Sequence, residues 1–517
     1  MSESRLTEEE EAAEGQGGAG AVVPRQWIGL GAGVVLALLV RLVLSDSLSA
    51  DGKNVAAVAT LMAVWWMTEA VPLPVTALVP LVLMPVLGIA PIAEVAAPYA
   101  NPIIFLFMGG FVIALAMQRW DLHTRFALST VLLVGTSPVR MIGGFMLATA
   151  LLSMWISNTA TAVMMLPIGL AVLGLVAQLR GGRQDANFAT ALLLGIAYAA
   201  SIGSLGTIIG TPPNAFLQGY LKAEHGIDIT FFEWMLFGVP LAAVFLVIAW
   251  LVLTRVVFRP GITEIEGGRE LIERRRRELG PMGRGQWTVL AVFTTTACLW
   301  VLVGVLSPYV TWVDEHASDA GVAMLAAVTL FTLPVTSGGS VTSVTSGGSV
   351  TSGGARRVLE WEDTRDLPWG ILLLFGGGLA LSSQFGASGL GAWIGDQVGG
   401  LDALPVLLLV IVIVAVILLL TELTSNTATT ATFVPVMAAV AVGLDQDVLL
   451  FALPVALAAT CAFMLPVATP PNAVVFSSRR VTVGQMIRGG IWLNVVGIVL
   501  VTAAVYSLGA LVLGIDL

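Results

Sequence analysis

No charged residue occurs between Arg140 and Arg180, yet the middle of that run is polar: SNTAT, Ser157–Thr161. An uncharged run belongs in a bilayer, but this one exceeds the roughly 20 residues of a single helical crossing. As one crossing it would separate Arg140 from Arg180 and set hydroxyls and an amide against lipid. As a re-entrant hairpin over 140–180 it keeps both arginines on one side and makes SNTAT the tip. Each arm is then about 17 to 20 residues, long enough at about 1.5 Å per residue to pass the midplane. The same five residues return at Ser425–Thr429, inside an apolar block over 403–443.

The rest of the chain agrees with a bilayer. Hydrophobic residues make up 57% and charged residues 11%, with a mean hydropathy of +0.92. Soluble domains do not have this balance. Apolar stretches predict crossing helices near 26–45, 54–70, 73–92, 102–120, 188–221, 231–258, 287–308, 318–335, 367–386, 449–478 and 487–513. The predicted fold class is therefore an all-α polytopic membrane protein, with about eleven crossings plus two hairpins. The acidic, glycine-rich start over 1–25 has no apolar signal segment and reads as a disordered cytoplasmic tail. Cys298 and Cys461 support no disulfide framework, and His123, His225 and His316 have no metal-ligand spacing. No nucleic-acid partner is expected.

Basic residues orient the chain. With a cytoplasmic N-terminus, eleven crossings and two hairpins, 21 of the 24 lysines and arginines fall on the cytoplasmic side. Only Arg41, Lys53 and Lys222 lie outside, a strong positive-inside bias. The C-terminus then lies outside, in a cell (inner or plasma) membrane. The second hairpin, flanked by Asp402, Asp445 and Asp447 and by no basic residue, enters from outside. The basic stretch over 259–286, with ERRRRELG at its centre, reads as a solvated cytoplasmic loop between an N-terminal half, 26–258, and a C-terminal half, 287–517.

The duplication extends beyond five residues. FMGGF at 107–111 echoes FGGGL at 375–379, an offset of 268 that also relates the two SNTAT copies, Ser153 to Thr421, and Pro167 to Pro435. GTPPNA at 210–215 echoes ATPPNA at 468–473, offset 258. Five predicted crossings separate the hairpins, an odd number, so the halves point opposite ways. An inverted repeat with paired broken elements is secondary-transporter architecture.

The chemistry follows from these breaks. A hairpin tip gives its second arm a free helix N-terminus, which Ser, Asn and Thr cap and which favours an anion. Prolines in TPPN release carbonyls four residues earlier: Ile208 and Ile209 in one copy, Pro466 and Val467 in the other. The predicted unwound segments are 208–214 and 466–472. Carbonyls, hydroxyls and an asparagine amide are hard oxygen ligands, and without aspartate they suit Na⁺ better than Ca²⁺ or Mg²⁺.

SNTATAVMMLP, TELTSNTATTATFVP, the two TPPN segments and LPWGILLLFGGGLAL resemble the divalent anion:sodium symporter family, from about residue 26 to the end apart from one insertion. The resemblance implies a homodimer in the lipid bilayer, each protomer with a scaffold and a transport region that moves like an elevator. It implies one Na⁺ held by Ser153, Ser157, Asn158 and Gly210, and a second by Thr421, Ser425, Asn426 and Ala468. The small-molecule dianion would meet Asn158, Thr159, Thr211, Ser425, Asn426, Thr427, Thr469 and Pro470. Thr211 stands where some members have serine, which keeps the hydroxyl. Two SNT motifs are the pattern associated with dicarboxylate carriers.

The reading is a sodium-coupled symporter of C4-dicarboxylates such as succinate, malate and fumarate. Sulfate or tricarboxylate (citrate) transport, dicarboxylate exchange and proton coupling remain open on the same fold. An arsenite-type pump or antiporter would need a well-placed intramembrane aspartate or cysteine. An enzyme would need HExxH, GxSxG or paired aspartates, and the sequence has none of these. Glu69 and Glu422 are read as hydrogen-bonding groups with proton carriage as the alternative. Cys461 reads as packing, and GGG at 376–378 as close helix contact. The uncharged insertion VTSGGSVTSVTSGGSVTSGG, within 335–355, reads as a flexible linker.

Overall fold

The computed structural model describes residues 24–517 except 136, 182–184, 266, 336–355, 399 and 401–403. The tail, nearly all of the insertion and Asp402 lie outside the described residues. Among those described, the only strands are Pro334–Val335 and Arg356–Arg357, an antiparallel pair at the base of the insertion. Everything else of length is helical, as a chain in hydrocarbon must be to pair its own backbone.

The chain opens with α1 (Pro24–Val43), largely exposed, and α2 (Ala50–Thr68), which buries Val55, Met62 and Trp66 in the core. The expected span at 73–92 breaks into Leu73–Thr76 and Val79–Val86; the interruption at Ala77–Leu78 falls just before Pro80, which has no N–H to continue the ladder. Seven helices follow: α3 (Pro102–Arg119), α4 (Leu122–Val134), α5 (Pro138–Ser153), α6 (Asn158–Leu179), α7 (Ala186–Ser204), α8 (Pro212–His225) and α9 (Phe231–Leu251). The basic stretch is not simply a loop. It holds α10 (Gly268–Glu278), where Arg269 pairs with Glu273 one turn on and Ile272 is buried. Next come α11 (Arg284–Leu306) and α12 (Asp319–Thr332).

The seven-helix series then recurs as α13 (Trp369–Ala387), α14 (Leu390–Gln397), α15 (Val406–Thr421), α16 (Asn426–Gly443), α17 (Val448–Thr460), α18 (Pro470–Ser477) and α19 (Val483–Ala504). The match reaches details that the sequence comparison did not use. Asp121 and Gly389, 268 apart, are both left-handed residues starting α4 and α14. Capping boxes at Thr230 and Thr482 start α9 and α19, and both helices end in a π-turn. A Cβ added at Gly238 would lie 2.5 Å from the Leu205 carbonyl oxygen, and one added at Gly490 would lie 2.4 Å from that of Phe463.

The core is centred on α7 and α17, which are buried along nearly their whole length. Helix α5 packs on α7 and α15 on α17. Across the halves the contacts are reciprocal: α6 packs on α18, and α16 on α8. Reciprocal contacts are what a two-fold relation between repeats produces. On α13, Gly376 leaves room for Tyr99, Gly377 for the Ala77 carbonyl and Gly378 for Phe216, so the three glycines serve close packing. Nine helical segments among the described residues are long and apolar enough to cross a membrane, accompanied by six shorter apolar helices. Length alone does not separate hairpin arms from crossings, since α6 and α16 are among the nine.

Candidate functional site

At the first tip, α5 ends at Ser153, and Met154–Ile156 turn the chain into α6. Ser157 caps α6, its Oγ accepting the Ala160 N–H at 3.3 Å. Asn158 Oδ1 accepts the Thr159 N–H at 2.8 Å. Ser153 is fully buried and donates its hydroxyl to the Ala200 carbonyl on α7, 2.6 Å. Thr207 donates to the Met154 carbonyl. The tip is therefore tied to the end of α7 by two hydroxyls. Trp155, beside the tip, stacks on Trp300 of α11 at 6.3 Å and on Phe231 of α9 at 6.0 Å.

The second tip repeats the tie with different details. Thr421, also buried, donates to the Ala459 carbonyl of α17 at 2.8 Å and lies 2.9 Å from Asn426 Oδ1. Thr424 and Thr429 hydroxyls meet at 2.7 Å. Ser425 occupies the cap position of α16 without a side-chain capping bond, so its hydroxyl is not used by the helix. Ser157, Asn158 and Thr159, and likewise Ser425, Asn426 and Thr427, are half-buried.

The breaks differ from the expectation. The breaks between α-helices run from Leu205 to Thr211, with one 3-10 turn at Ile208–Gly210, and from Cys461 to Thr469, while Pro212–Asn214 and Pro470–Asn472 already form the first turns of α8 and α18. The predicted segments 208–214 and 466–472 are thus displaced toward the C-terminus. The reason is that proline is at home in the first turn of a helix, where its missing N–H costs nothing. Carbonyls at and just beyond the ends of α7 and α17 take side-chain donors instead. The asparagine of each TPPN collects them through its NH₂: Asn214 from Ser204 (3.2 Å) and Thr207 (2.9 Å), Asn472 from Ala462 (3.2 Å) and Leu465 (3.0 Å). Both Oδ1 atoms remain buried without a donor. Sequence reasoning missed this staple, although the 258-residue offset of Asn214 and Asn472 carried the signal.

Gly210 is buried, and a Cβ there would lie 2.2 Å from the Ser204 carbonyl. Ala468 holds the equivalent place and is buried. Thr211 and Thr469 are extended, buried cap residues; Thr469 Oγ1 accepts the Asn472 N–H at 3.3 Å, while Thr211 makes no capping bond. Pro470 is exposed at the first position of α18. Glu69 is exposed, in a left-handed cap ending α2, in neither tip nor break. Cys461 is buried where α17 ends.

Four helices, α6, α8, α16 and α18, begin at the tips and breaks, and each second arm packs on the TPPN helix of the other half. Their N-termini carry partial positive charge. Residues 151–179, 186–221, 404–444 and 448–478 contain one charged residue, Glu422, and no histidine. Among the described residues no three His, Cys, Asp or Glu cluster as a metal site. The arrangement offers neutral oxygens for a hard monovalent cation and helix ends for an anion.

A family model described as the sodium:sulfate symporter transmembrane region matches residues 25–515. The sodium-dependent dicarboxylate transporter SdcS of Staphylococcus saprophyticus is 41% identical over 496 residues, covering 95% of this chain and 93% of that protein. SdcS of Staphylococcus aureus is 40% identical over 498 residues with the same coverage. Among solved structures, the Alcanivorax borkumensis YdaH transporter superposes with a TM-score of 0.54 at 13% identity, covering 80% of this chain and 86% of that one, a likeness of fold.

Proposed function

This chain belongs to the sodium:sulfate symporter family, and we propose that it is a sodium-coupled symporter of C4-dicarboxylates in the cell membrane. Two relatives sharing 41% and 40% of its residues are named sodium-dependent dicarboxylate transporters. The observation that carries the reading is the reciprocal pairing of α6 with α18 and α16 with α8. It supports one site fed by both SNT tips and both TPPN breaks, with no lysine or arginine in those segments.

A dianion there is balanced by helix ends and by Na⁺. One Na⁺ is held around Ser153, Ser157, Asn158 and Gly210, the other around Thr421, Ser425, Asn426 and Ala468. Carboxylates meet Asn158, Thr159 and Thr211 from one half and Ser425, Asn426, Thr427, Thr469 and Pro470 from the other. Because the hydroxyls of Ser153 and Thr421 tie the tips to α7 and α17, each hairpin and its broken helix move as one body. That rigid pairing supports an elevator motion of 140–221 and 403–478 against a scaffold, in a homodimer with cytoplasmic N-termini.

Sodium and substrate must then raise each other's affinity, since each supplies charge the other needs. The test is succinate uptake into proteoliposomes, with and without a Na⁺ gradient, against citrate and sulfate as competitors. Succinate affinity is expected to rise steeply along a sodium titration. Unchanged affinity in choline buffer overturns sodium symport, and stronger inhibition by sulfate than by unlabelled succinate overturns the substrate class.

A further inference from the structure

In the segments that form the tips and breaks, the two halves differ by one charge. Glu422 directly follows Thr421 and is 2% exposed. Its Oε1 accepts the Phe463 N–H at 2.8 Å, the Met464 N–H at 3.0 Å and the Asn494 Nδ2 at 2.8 Å. Its Oε2 accepts the Met464 and Leu465 N–H groups, both at 3.1 Å. Both oxygens act as acceptors, the role of an ionised carboxylate. The position 268 residues earlier is Met154, whose backbone carbonyl accepts the Thr207 hydroxyl.

The backbone around the two positions is built accordingly. In the first half the turn after α7 satisfies itself: Leu205 donates to the Ile202 carbonyl at 3.2 Å and Gly206 to the Gly203 carbonyl at 3.0 Å. In the second half α17 stops at Thr460, and the N–H groups of 463–465 turn to the carboxylate instead. Both halves thus latch tip to break, but only one does so with a unit charge. Dipolar donors hold that charge without cancelling it, and no basic residue lies in the four segments that build the site. The gripped backbone is also the cation ligand's own support, since the Leu465 carbonyl accepts the Ala468 N–H at 3.2 Å and the Asn472 amide at 3.0 Å.

We propose that the two sodium sites are unequal: the second-half site, beside Glu422, takes Na⁺ first and more tightly, and the first-half site fills second. The inference rests on the reading that sodium sits at the two tips. Glu422 is a positioning residue in it, acting through its charge and through the backbone that it holds. A nearby charge in a low-dielectric interior is enough to separate the two affinities by about tenfold or more.

The experiment is equilibrium binding of radioactive sodium to the purified full-length protein without dicarboxylate. Two events separated by about tenfold or more are expected. Asn426→Ala removes the tighter event and Asn158→Ala the weaker. Glu422→Gln weakens the tighter event by about tenfold and spares the weaker, and Glu422→Asp restores part of the loss. Loss of the tighter event in Asn158→Ala, equal affinities in the unmodified protein, or a Glu422→Gln protein with both events intact overturns the proposal. If Glu422→Gln does not fold, as judged by thermal unfolding and gel filtration, the two asparagine variants decide alone. If neither asparagine variant changes sodium binding, the tip sites themselves fail, which is distinct from two tip sites of equal strength.

Discussion

At the residue scale the tips and breaks of the proposed site carry short polar side chains used in two different ways. Some are tethers, such as Ser153, Thr207 and Thr421, whose hydroxyls are committed to backbone carbonyls. Others are half-buried at the tips and present an amide oxygen there: Asn158, whose Oδ1 accepts the Thr159 N–H, and Asn426, whose Oδ1 accepts the Thr421 hydroxyl. Asn158→Ala and Asn426→Ala each remove one such oxygen. Each is expected to lower transport affinity by about tenfold to a hundredfold while leaving insertion intact, with Cys298→Ser, at an exposed position, as the control. Uptake kinetics on reconstituted protein measure this, and full transport by Asn426→Ala sinks the two-tip site. Asn214 and Asn472 act differently, through their NH₂ groups. Asn214→Ala leaves the Ser204 carbonyl without its Asn214 donor in a buried place and takes from the Thr207 carbonyl one of its two donors, the other being the Gly210 N–H, at a cost of about 1–3 kcal/mol. A lower thermal midpoint is expected, and Asn214→Asp should fail to restore it, because a carboxylate cannot donate. Recovery by the aspartate would mean that Oδ1, not Nδ2, does the work.

At the element scale the packing of α9 and α19 against the breaks depends on a missing side chain. Gly490 faces the Phe463 carbonyl, on the segment that Glu422 holds. An alanine Cβ there meets backbone at 2.4 Å and forces the helix outward, with an overpacking cost of about 1–3 kcal/mol. Gly484→Ala, in the same helix with nothing within 4 Å of the new Cβ, should be neutral or mildly stabilising. Thermal unfolding of the two variants in detergent compares them, and equal midpoints would show that α19 has room to move away from the break. The charged helix α10 is held more loosely. Its ion pairs are exposed, so its place is set by Ile272 and by Arg125, whose guanidinium donates to the Leu279 and Gly280 carbonyls.

At the scale of the whole molecule, the proposed inverted repeat carries an expectation about how the two hairpins meet the membrane. If both are re-entrant and the halves are inverted, Arg140 and Arg180 share the cytoplasmic face, and Leu404 and Asp445 share the outer face. Single cysteines at the four positions, in a background with Cys298 and Cys461 replaced, are read with a membrane-impermeant thiol reagent. Positions 404 and 445 are expected to label in intact cells, and 140 and 180 only after the membrane is opened. Labelling of 140 but not 180 from outside would make α5 and α6 parts of an ordinary crossing and end the inverted-repeat reading.

The sequence alone determined those properties that are local or periodic. Uncharged runs required a bilayer, and the hydrocarbon required helices. The offset of 268 aligned the starts of α5 with α15 and of α6 with α16. Oxygen-rich tips without basic residues pointed to a cation with an anion, and their resemblance to one family of symporters was specific. Where each proline sat in its helix was not local: Pro212 and Pro470 begin helices because the preceding ones had already ended. The use of Asn214 and Asn472 as donors, the grip of Glu422 on residues some forty positions away, and the exchange of α6 and α16 between halves depend on which segments pack together. Composition records that a polar group is present. Only the tertiary structure decides which partner satisfies it, because in a dry interior every donor and acceptor is assigned by what lies within about 3 Å.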